Sequence, residues 1–298
     1  RLFVLGNVPE LEITEKKYLA YEHARKVLIN SLAIEEKYEI LITNYLDFER
    51  KILDLAASFM VSHSLDYDQS FVIRMKLNVC LVNLLTSARL YLDQLVINVR
   101  ECIPELDNTK QLIKEIRSKE YDKNSYYRFM EELRNYTQHY GTPIHHVKII
   151  PNQTQNSDSQ KSLVGYTIEL YSKRSYLEED SKSKKRILGN IEEDINLKNA
   201  TREYMDSISD IHRSVRLLIK GSTDASRKLI EDAHKEYLTI YTKHKNLDSL
   251  SACIKLDQKL EDRIPLLLKW DDVRIKLQNK NKKLIPFANR FVTGQVSS

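Results

Sequence analysis

An arginine, an asparagine, a glutamine and a histidine crowd into LRNYTQH, Leu133 to His139. Arginine keeps its charge at every pH a protein meets, and its planar fork of donors fits phosphate oxygens. Imidazole, with an ordinary pKa of about 6.5, gives or takes a proton at neutral pH. A carboxamide beside them orients either one. This set suits work on a phosphate, metal-free cleavage of RNA being one such reaction. There, a base takes the 2′-hydroxyl proton, fixed positive charge meets the phosphate as it gains charge, and an acid protonates the departing 5′-oxygen. One helix carries only one of the two proton carriers. Two copies facing each other across a two-fold axis would supply both, which is a physical reason to expect a homodimer.

The element that must position these residues is the stretch DKNSYYRFMEELRNYTQHYGTP, Asp122 to Pro143. It reads as one amphipathic helix, with Asn124 or Ser125 as N-cap and Gly141 followed by Pro143 closing the far end. With Arg134 at zero and about 100° per residue, Tyr126, Phe129, Met130, Leu133, Tyr136, Thr137 and Tyr140 fall between about 200° and 320°. That stripe is wide enough to bury. Arg134, Gln138, Asn135 and His139 fall at about 0°, 40°, 100° and 140°, a polar wedge opposite it. Arg128, at about 120°, borders the wedge and could hold an incoming backbone, as could Gln138 and Tyr140.

A polar face alone decides nothing, because every surface helix has one. The bare pattern of an arginine followed by a histidine recurs at Arg227 and His234 in RKLIEDAH. There the next residue is Lys228 and no helix stop follows closely. At Arg134 an asparagine comes next, the helix ends just after the histidine, and the opposite face is heavily aromatic.

On these residues the segment resembles the signature of the HEPN superfamily (higher eukaryotes and prokaryotes nucleotide-binding). That signature is an arginine, a polar residue, then a histidine after a few intervening positions, late in an all-helical bundle. The resemblance covers one helix firmly and the first half of the chain loosely. It implies a metal-independent RNA endonuclease of toxin or anti-phage defence type, leaving a 2′,3′-cyclic phosphate. It also implies motif helices paired in a homodimer, with an antitoxin or regulatory protein as a further partner. Arg134 would stabilise the phosphate, His139 would act as general acid or base, and Asn135 would orient one of them. Other members of the superfamily have lost activity and serve as scaffolds.

Composition supports helices. The chain is 42% hydrophobic and 30% charged with only six Gly and six Pro, too few turn-formers for an all-β fold. A net charge of +5 permits an anionic partner without requiring one. Cys80, Cys102 and Cys253 lie far apart without a C-x-x-C pair, which reads as reduced thiols in a cytoplasmic protein. No apolar run reads as membrane-spanning. The start, RLFVLGNVPELEI, lacks the parts of a signal peptide and an initiator methionine, so a few leading residues are expected to be missing.

Along the chain, residues 1–12 form a short strand or arm, and Thr14 opens a helix to about Ile29. From Ser31 to about Ser62 apolar residues recur at alternating spacings of four and three: Ile34, Tyr38, Leu41, Tyr45, Phe48, Ile52, Leu55 and Phe59. Leu77, Leu81, Leu84, Ala88, Tyr91 and Leu95 continue the habit on a second helix, which should pair antiparallel with the first. Asn78, Asn83 and Asp93 on it should be satisfied by neighbours. A short helix follows Thr109. HHVKIIP and LVGYTIELY alternate in the strand manner around the polar NQTQNSDSQKS, which predicts a β-hairpin with a long tip. His145 and His146, adjacent on a strand, point to opposite faces and chelate poorly, so no metal or other cofactor is expected. Two basic runs, SKSKKR and LQNKNKK, could touch RNA but read first as solvated faces. Tyr204, Ile208, Ile211, Val215 and Leu218 mark a helix to about Lys220. A partner helix is expected from Thr223 after a break at Gly221, a last helical stretch ends near Leu284, and Trp270 is a core anchor.

The expectation is an all-α fold with one hairpin insertion: a bundle over 1–143, a β-hairpin over 144–172 and a helical region over 173–298. The function expected is an HEPN-like ribonuclease. The rivals are a non-catalytic scaffold that binds a protein, and a helical nucleotide-binding subunit of a separate enzyme. No Gly-rich phosphate loop, Ser–His–Asp set or carboxylate cluster competes for the active site.

Overall fold

A computed structural model describes residues 1–4, 10–61, 66–155, 162–178, 192–241, 247, 249–256, 259–282 and 286–290. The chain is mostly helical, but the expected all-α fold with a single hairpin is corrected by two three-stranded sheets. In order, the elements are β1 (Leu2–Phe3), α1 (Glu15–Val61), α2 (Tyr67–Cys102), α3 (Thr109–Lys123), α4 (Ser125–His139), β2 (His146–Gln155) and β3 (Ser162–Lys173). Then come α5 (Arg174–Glu178), β4 (Asp194–Asn196), α6 (Leu197–Ile240), β5 (Ser251–Leu256), β6 (Lys259–Pro265) and α7 (Lys269–Lys280).

The alternating seam buries as expected: all eight residues from Ile34 to Phe59, and all six from Leu77 to Leu95, are buried. Apolar side chains at that spacing line one face of a helix and must find a partner. α1 and α2 run antiparallel, with Cys102 Sγ against the Val27 carbonyl and Asn98 Nδ2 donating to Asn30 Oδ1. Two corrections concern helix length. α1 is one helix across Asn30 and Ser31, because the Ser31 hydroxyl turns back to donate to the Leu28 carbonyl. α6 passes straight through Gly221, where the expected break is absent. A further correction is that α2 is, among the described residues, long and apolar enough to cross a membrane. One side of it is the seam that buries in this fold, while Val72, Met75, Val79 and Ile97 stay exposed.

Two compact units are assembled from separated stretches. Arg1–Glu39, Asp93–Lys114 and His212–Lys283 form the first; Ile40–Leu92, Glu115–Ile211 and Leu284–Ser298 form the second. They cut across the consecutive segments expected from the sequence.

The first unit packs Tyr18, Tyr21 and Leu28 against Ile230, Ala233 and Tyr237, and against β5 and β6 through Ala252 and Ile264. β1, within the short strand or arm expected over residues 1–12, forms an antiparallel sheet with β5 and β6 in that order; β5 and β6 stand where continued helix was expected. SACIKL alternates over too short a run to announce a strand. A charged cluster is buried beside this core. Arg216 holds Glu35 with two donors at 2.8 and 2.6 Å, Gln278 Nε2 donates to Glu35 at 3.1 Å, and His212 Nε2 lies 3.3 Å away. The His212 ring stacks on Tyr38 at 3.8 Å. Burial pushes the Glu35 carboxyl up, but bonds from His212 and Arg216 outweigh it and hold it at about 2. Burial lowers the His212 pKa, so the imidazole is neutral. The basic run LQNKNKK belongs here too, since Lys280 pairs with Glu39 and Asn281 Nδ2 donates to Glu39 at 3.0 Å. Lys283 and all of SKSKKR lie outside the described residues. Trp270 is 44% exposed beneath the Arg25 guanidinium, so the expected core anchor is a surface residue.

In the second unit β2, β3 and β4 form an antiparallel sheet in that order, with β2 and β3 paired from His146↔Tyr171 to Gln155↔Ser162. Residues 156–161 of the expected hairpin tip lie outside the described residues. Arg202 of α6 clamps Glu49 of α1 with Nε and Nη2 at 2.8 and 2.9 Å.

A Cβ added at Gly221 would meet nothing within 4 Å. Gly221→Ala should therefore raise stability by about 0.5–1 kcal/mol, read as a higher denaturant midpoint at unchanged slope. Glu35→Ala takes the carboxylate from the half-buried Arg216, which keeps its bond to the Asn281 carbonyl, and should cost on the order of 2–3 kcal/mol. In the native chain, groups that resist protonation when folded stabilise it while deprotonated. Stability measured against pH should thus be full above His212's ordinary 6.5, fall below it, and fall further as Glu35 titrates from its ordinary 4.5 towards about 2.

Candidate functional site

α4 begins where Asn124 caps it. The Asn124 Oδ1 accepts from the backbone N–H groups of Tyr126 at 2.9 Å and Tyr127 at 3.3 Å, satisfying two donors that a helix start leaves orphaned. The same side chain's Nδ2 reaches Glu203 Oε2 and Ser207 Oγ on α6, each at 3.1 Å. At the far end Tyr140 and Gly141 both donate from the backbone to the Tyr136 carbonyl. A Cβ on Gly141 would lie 2.6 Å from the Tyr136 hydroxyl, so that close approach requires glycine.

The helix is buried over a wider arc than expected. Phe129, Met130, Leu133 and Tyr136 are buried as the stripe requires, but Tyr127 and Glu132 are buried too, while Tyr126 is half-buried and Tyr140 is 51% exposed. Tyr127 and Glu131 stand at about 20° and 60°, within the expected polar wedge. α6 covers that part: Tyr204 packs its ring 5.3 Å from Tyr127 and donates its hydroxyl to Glu131 at 2.7 Å. Burial and the Glu131 charge raise the Tyr204 pKa, so the hydroxyl keeps the proton it donates.

What stays open is the last turn and a half. Arg134 is half-buried, and its Nη1 donates to Gln138 Oε1 at 2.6 Å. Its Nε is buried without an acceptor, and among the described residues no carboxylate pairs with it. Asn135 is half-buried, while Gln138 and His139 are exposed, His139 being the final residue of the helix. Arg134, Asn135, Gln138 and His139 therefore share the exposed end of one fixed helix. Gln138 is spent in bracing the guanidinium rather than free to hold substrate. Arg128 is engaged elsewhere, with Nη1 donating to the last carbonyls of α3, Tyr121 at 2.6 Å and Asp122 at 3.0 Å. Arginine in that position completes a helix C-terminus. The competing pair is structural: Arg227 binds Asp271 and Asp272 at 2.6 and 2.9 Å, and His234 Nε2 donates to the Leu266 carbonyl at 2.7 Å.

Beyond Gly141 the chain turns into β2 and forms one wall of a cleft of about 230 Å³. The opposite wall is the start of α2, with Tyr67, Ser70, Phe71 and Arg74 at helical spacing on one face. His145 is wedged there with its ring 5.6 Å from Tyr136 and 4.7 Å from Tyr176, its Nδ1 accepting from the Lys173 N–H at 2.9 Å. Burial, with the charges of Arg74 and Lys173, lowers its pKa to about 4, so it is neutral. Asn78, on the next turns of α2, bonds both backbone groups of Ile144, as expected of a polar residue satisfied by neighbours. No motif in the sequence marks this cleft. The available signal was the run of aromatic and cationic residues at Tyr67, Phe71 and Arg74 ahead of the leucine seam. Among the described residues no three His, Cys, Asp or Glu side chains gather as metal ligands.

Comparison with family models, with curated proteins and with solved structures returns no match. The resemblance of LRNYTQH to the HEPN signature rests on those residues and their placement.

Proposed function

We propose that the protein is a metal-independent RNA endonuclease of the HEPN type, acting as a homodimer. The observation that carries this reading is Arg134, a half-buried cation without a carboxylate partner among the described residues, braced by Gln138 beside the exposed His139. A fixed, incompletely bonded guanidinium stabilises an anion with little reorganisation when charge develops on it. In the reaction His139 of one copy takes the 2′-hydroxyl proton, and the oxygen attacks phosphorus. Arg134 meets the charge on the non-bridging oxygens, and His139 of the second copy protonates the 5′-oxygen as it leaves. Asn135 orients the phosphate or an imidazole. The product is a 2′,3′-cyclic phosphate and a free 5′-hydroxyl. An RNA substrate implies a cytoplasmic setting, and an antitoxin or other regulatory protein would restrain such an activity.

The second reading, a non-catalytic scaffold, draws on the apolar side chains that α2 leaves exposed, among them Val72, Met75, Val79 and Ile97. Activity separates the two. Purified wild type should cut RNA in excess EDTA. Arg134→Ala and His139→Ala, each the same size as wild type by light scattering, should lose at least about a hundredfold in rate. Arg134→Lys should not restore it, because an ammonium lacks the planar fork. Cleavage by His139→Ala at the wild-type rate, or an inert wild type on transfer, ribosomal and messenger RNA alike, would overturn the proposal.

A further inference from the structure

We infer that the cleft between the start of α2 and the start of β2 is a subsite for one nucleotide of a single-stranded RNA flanking the scissile phosphate. The inference rests on RNA being the ligand, as proposed above. It concerns different residues.

Two large aromatic side chains line this cleft and face water: Tyr67 is 83% exposed and Phe71 47% exposed. They stand four residues apart on one face of α2, with Arg74 a turn further on and its guanidinium 5.9 Å from the Phe71 ring centre. Exposed aromatic faces beside an arginine are what unpaired bases stack on, a contact that tolerates any base because each has a π-face. Arg74 is half-buried and takes no carboxylate among the described residues; its Nη1 is 3.5 Å from the His145 carbonyl. Its charge is available to the phosphate of the stacked nucleotide, with the exposed His146 beside it. The nearby carboxylate of Asp66 is occupied, accepting from the Gln69 N–H at 2.7 Å as the helix cap.

Size points the same way. A volume of about 230 Å³ is below the range of roughly 300–1,000 Å³ that encloses a drug-sized ligand, and it suits a single base with its phosphate outside. Position joins the cleft to the motif. Tyr136 on α4 touches His145 in the cleft wall, and Tyr140, stacked on Tyr136 at 6.3 Å, lies one residue after His139. The cleft thus lies against the C-terminal end of α4, the end that carries Arg134 and His139. His145 itself, neutral and held by the Lys173 N–H, is the positioning residue of that wall rather than a charge for the ligand.

The test uses the full chain and a fluorescein-labelled single-stranded RNA 12-mer (about that length) whose sugars are 2′-O-methylated, so that binding is read without cleavage. Fluorescence anisotropy is measured for wild type, Tyr67→Ala, Phe71→Ala, Arg74→Gln and a surface control, Leu217→Ala, with light scattering on each. Loss of one stacked base should weaken binding on the order of tenfold for each aromatic variant. Arg74→Gln should weaken it and flatten its salt dependence, while Leu217→Ala binds as wild type. Affinities of the cleft variants within twofold of wild type would overturn the subsite, even if wild type cuts unmodified RNA and the nuclease reading stands. Binding that depends on the cleft in a chain that cuts nothing would keep the cleft as a nucleotide site, with no scissile phosphate beside it, and end the nuclease. Self-association that the aromatic variants abolish, with RNA binding unchanged, would assign the patch to a protein contact and overturn the inference.

Discussion

The wholly buried hydroxyl of Tyr204, donated to Glu131, fixes where the motif helix can lie. α4 is short, and isolated helices of its length are marginal in water, so its position must come from what it packs against. Three side chains supply that position along one line of α6: Glu203 and Ser207 hold the Asn124 cap, and Tyr204 holds Glu131 while its ring packs tilted against Tyr127. Removing the acceptor would leave a buried donor unpaired, which is costlier than never having made the bond. The consequence for chemistry is geometric. With the first turns of α4 clamped and covered, only the last turns stand open, and these carry Arg134, Asn135, Gln138 and His139.

The same clamp explains which residues are free to act. Arg128 and Arg134 have the same side chain on one helix, yet Arg128 finds the orphan carbonyls of α3 while Arg134, among the described residues, finds only Gln138. A guanidinium fixed by one neutral partner retains its charge for a ligand, whereas one saturated by carbonyls or carboxylates has little left to offer. Arg227 is the extreme case, bonded to Asp271, Asp272 and Glu231. Two stretches that match the same short pattern thus differ in what their arginines already hold.

Much of this was legible in the sequence, and the limits have physical causes. The Asn124 cap, the end at Gly141 and the buried seams on α1 and α2 follow from local rules of capping and period, and they hold. The continuity of α6 through Gly221 does not follow, because packing on both sides of one glycine outweighs its cost of about 1 kcal/mol. Tyr127 and Tyr126 are identical in type, and packing against Tyr204 of the sequence-distant α6 and Tyr121 of α3 makes Tyr127 the buried one. Nothing local announces the Glu35–His212–Arg216 cluster, because burial of charge is tolerated only when partners from remote segments meet. β5 and β6 were hidden because a short alternating run is indistinguishable from helix until a third strand, β1, pairs with it.

Cleavage of RNA by a guanidinium and imidazoles without a metal, as proposed, is reported most directly by the product ends. RNA incubated with the wild-type chain in excess EDTA should carry 2′,3′-cyclic phosphate at every new 3′ end and a free hydroxyl at every new 5′ end, seen by mass spectrometry of the fragments. Fragments ending in 3′-hydroxyl and 5′-phosphate, or cleavage that vanishes with EDTA and returns with a divalent cation, would contradict it.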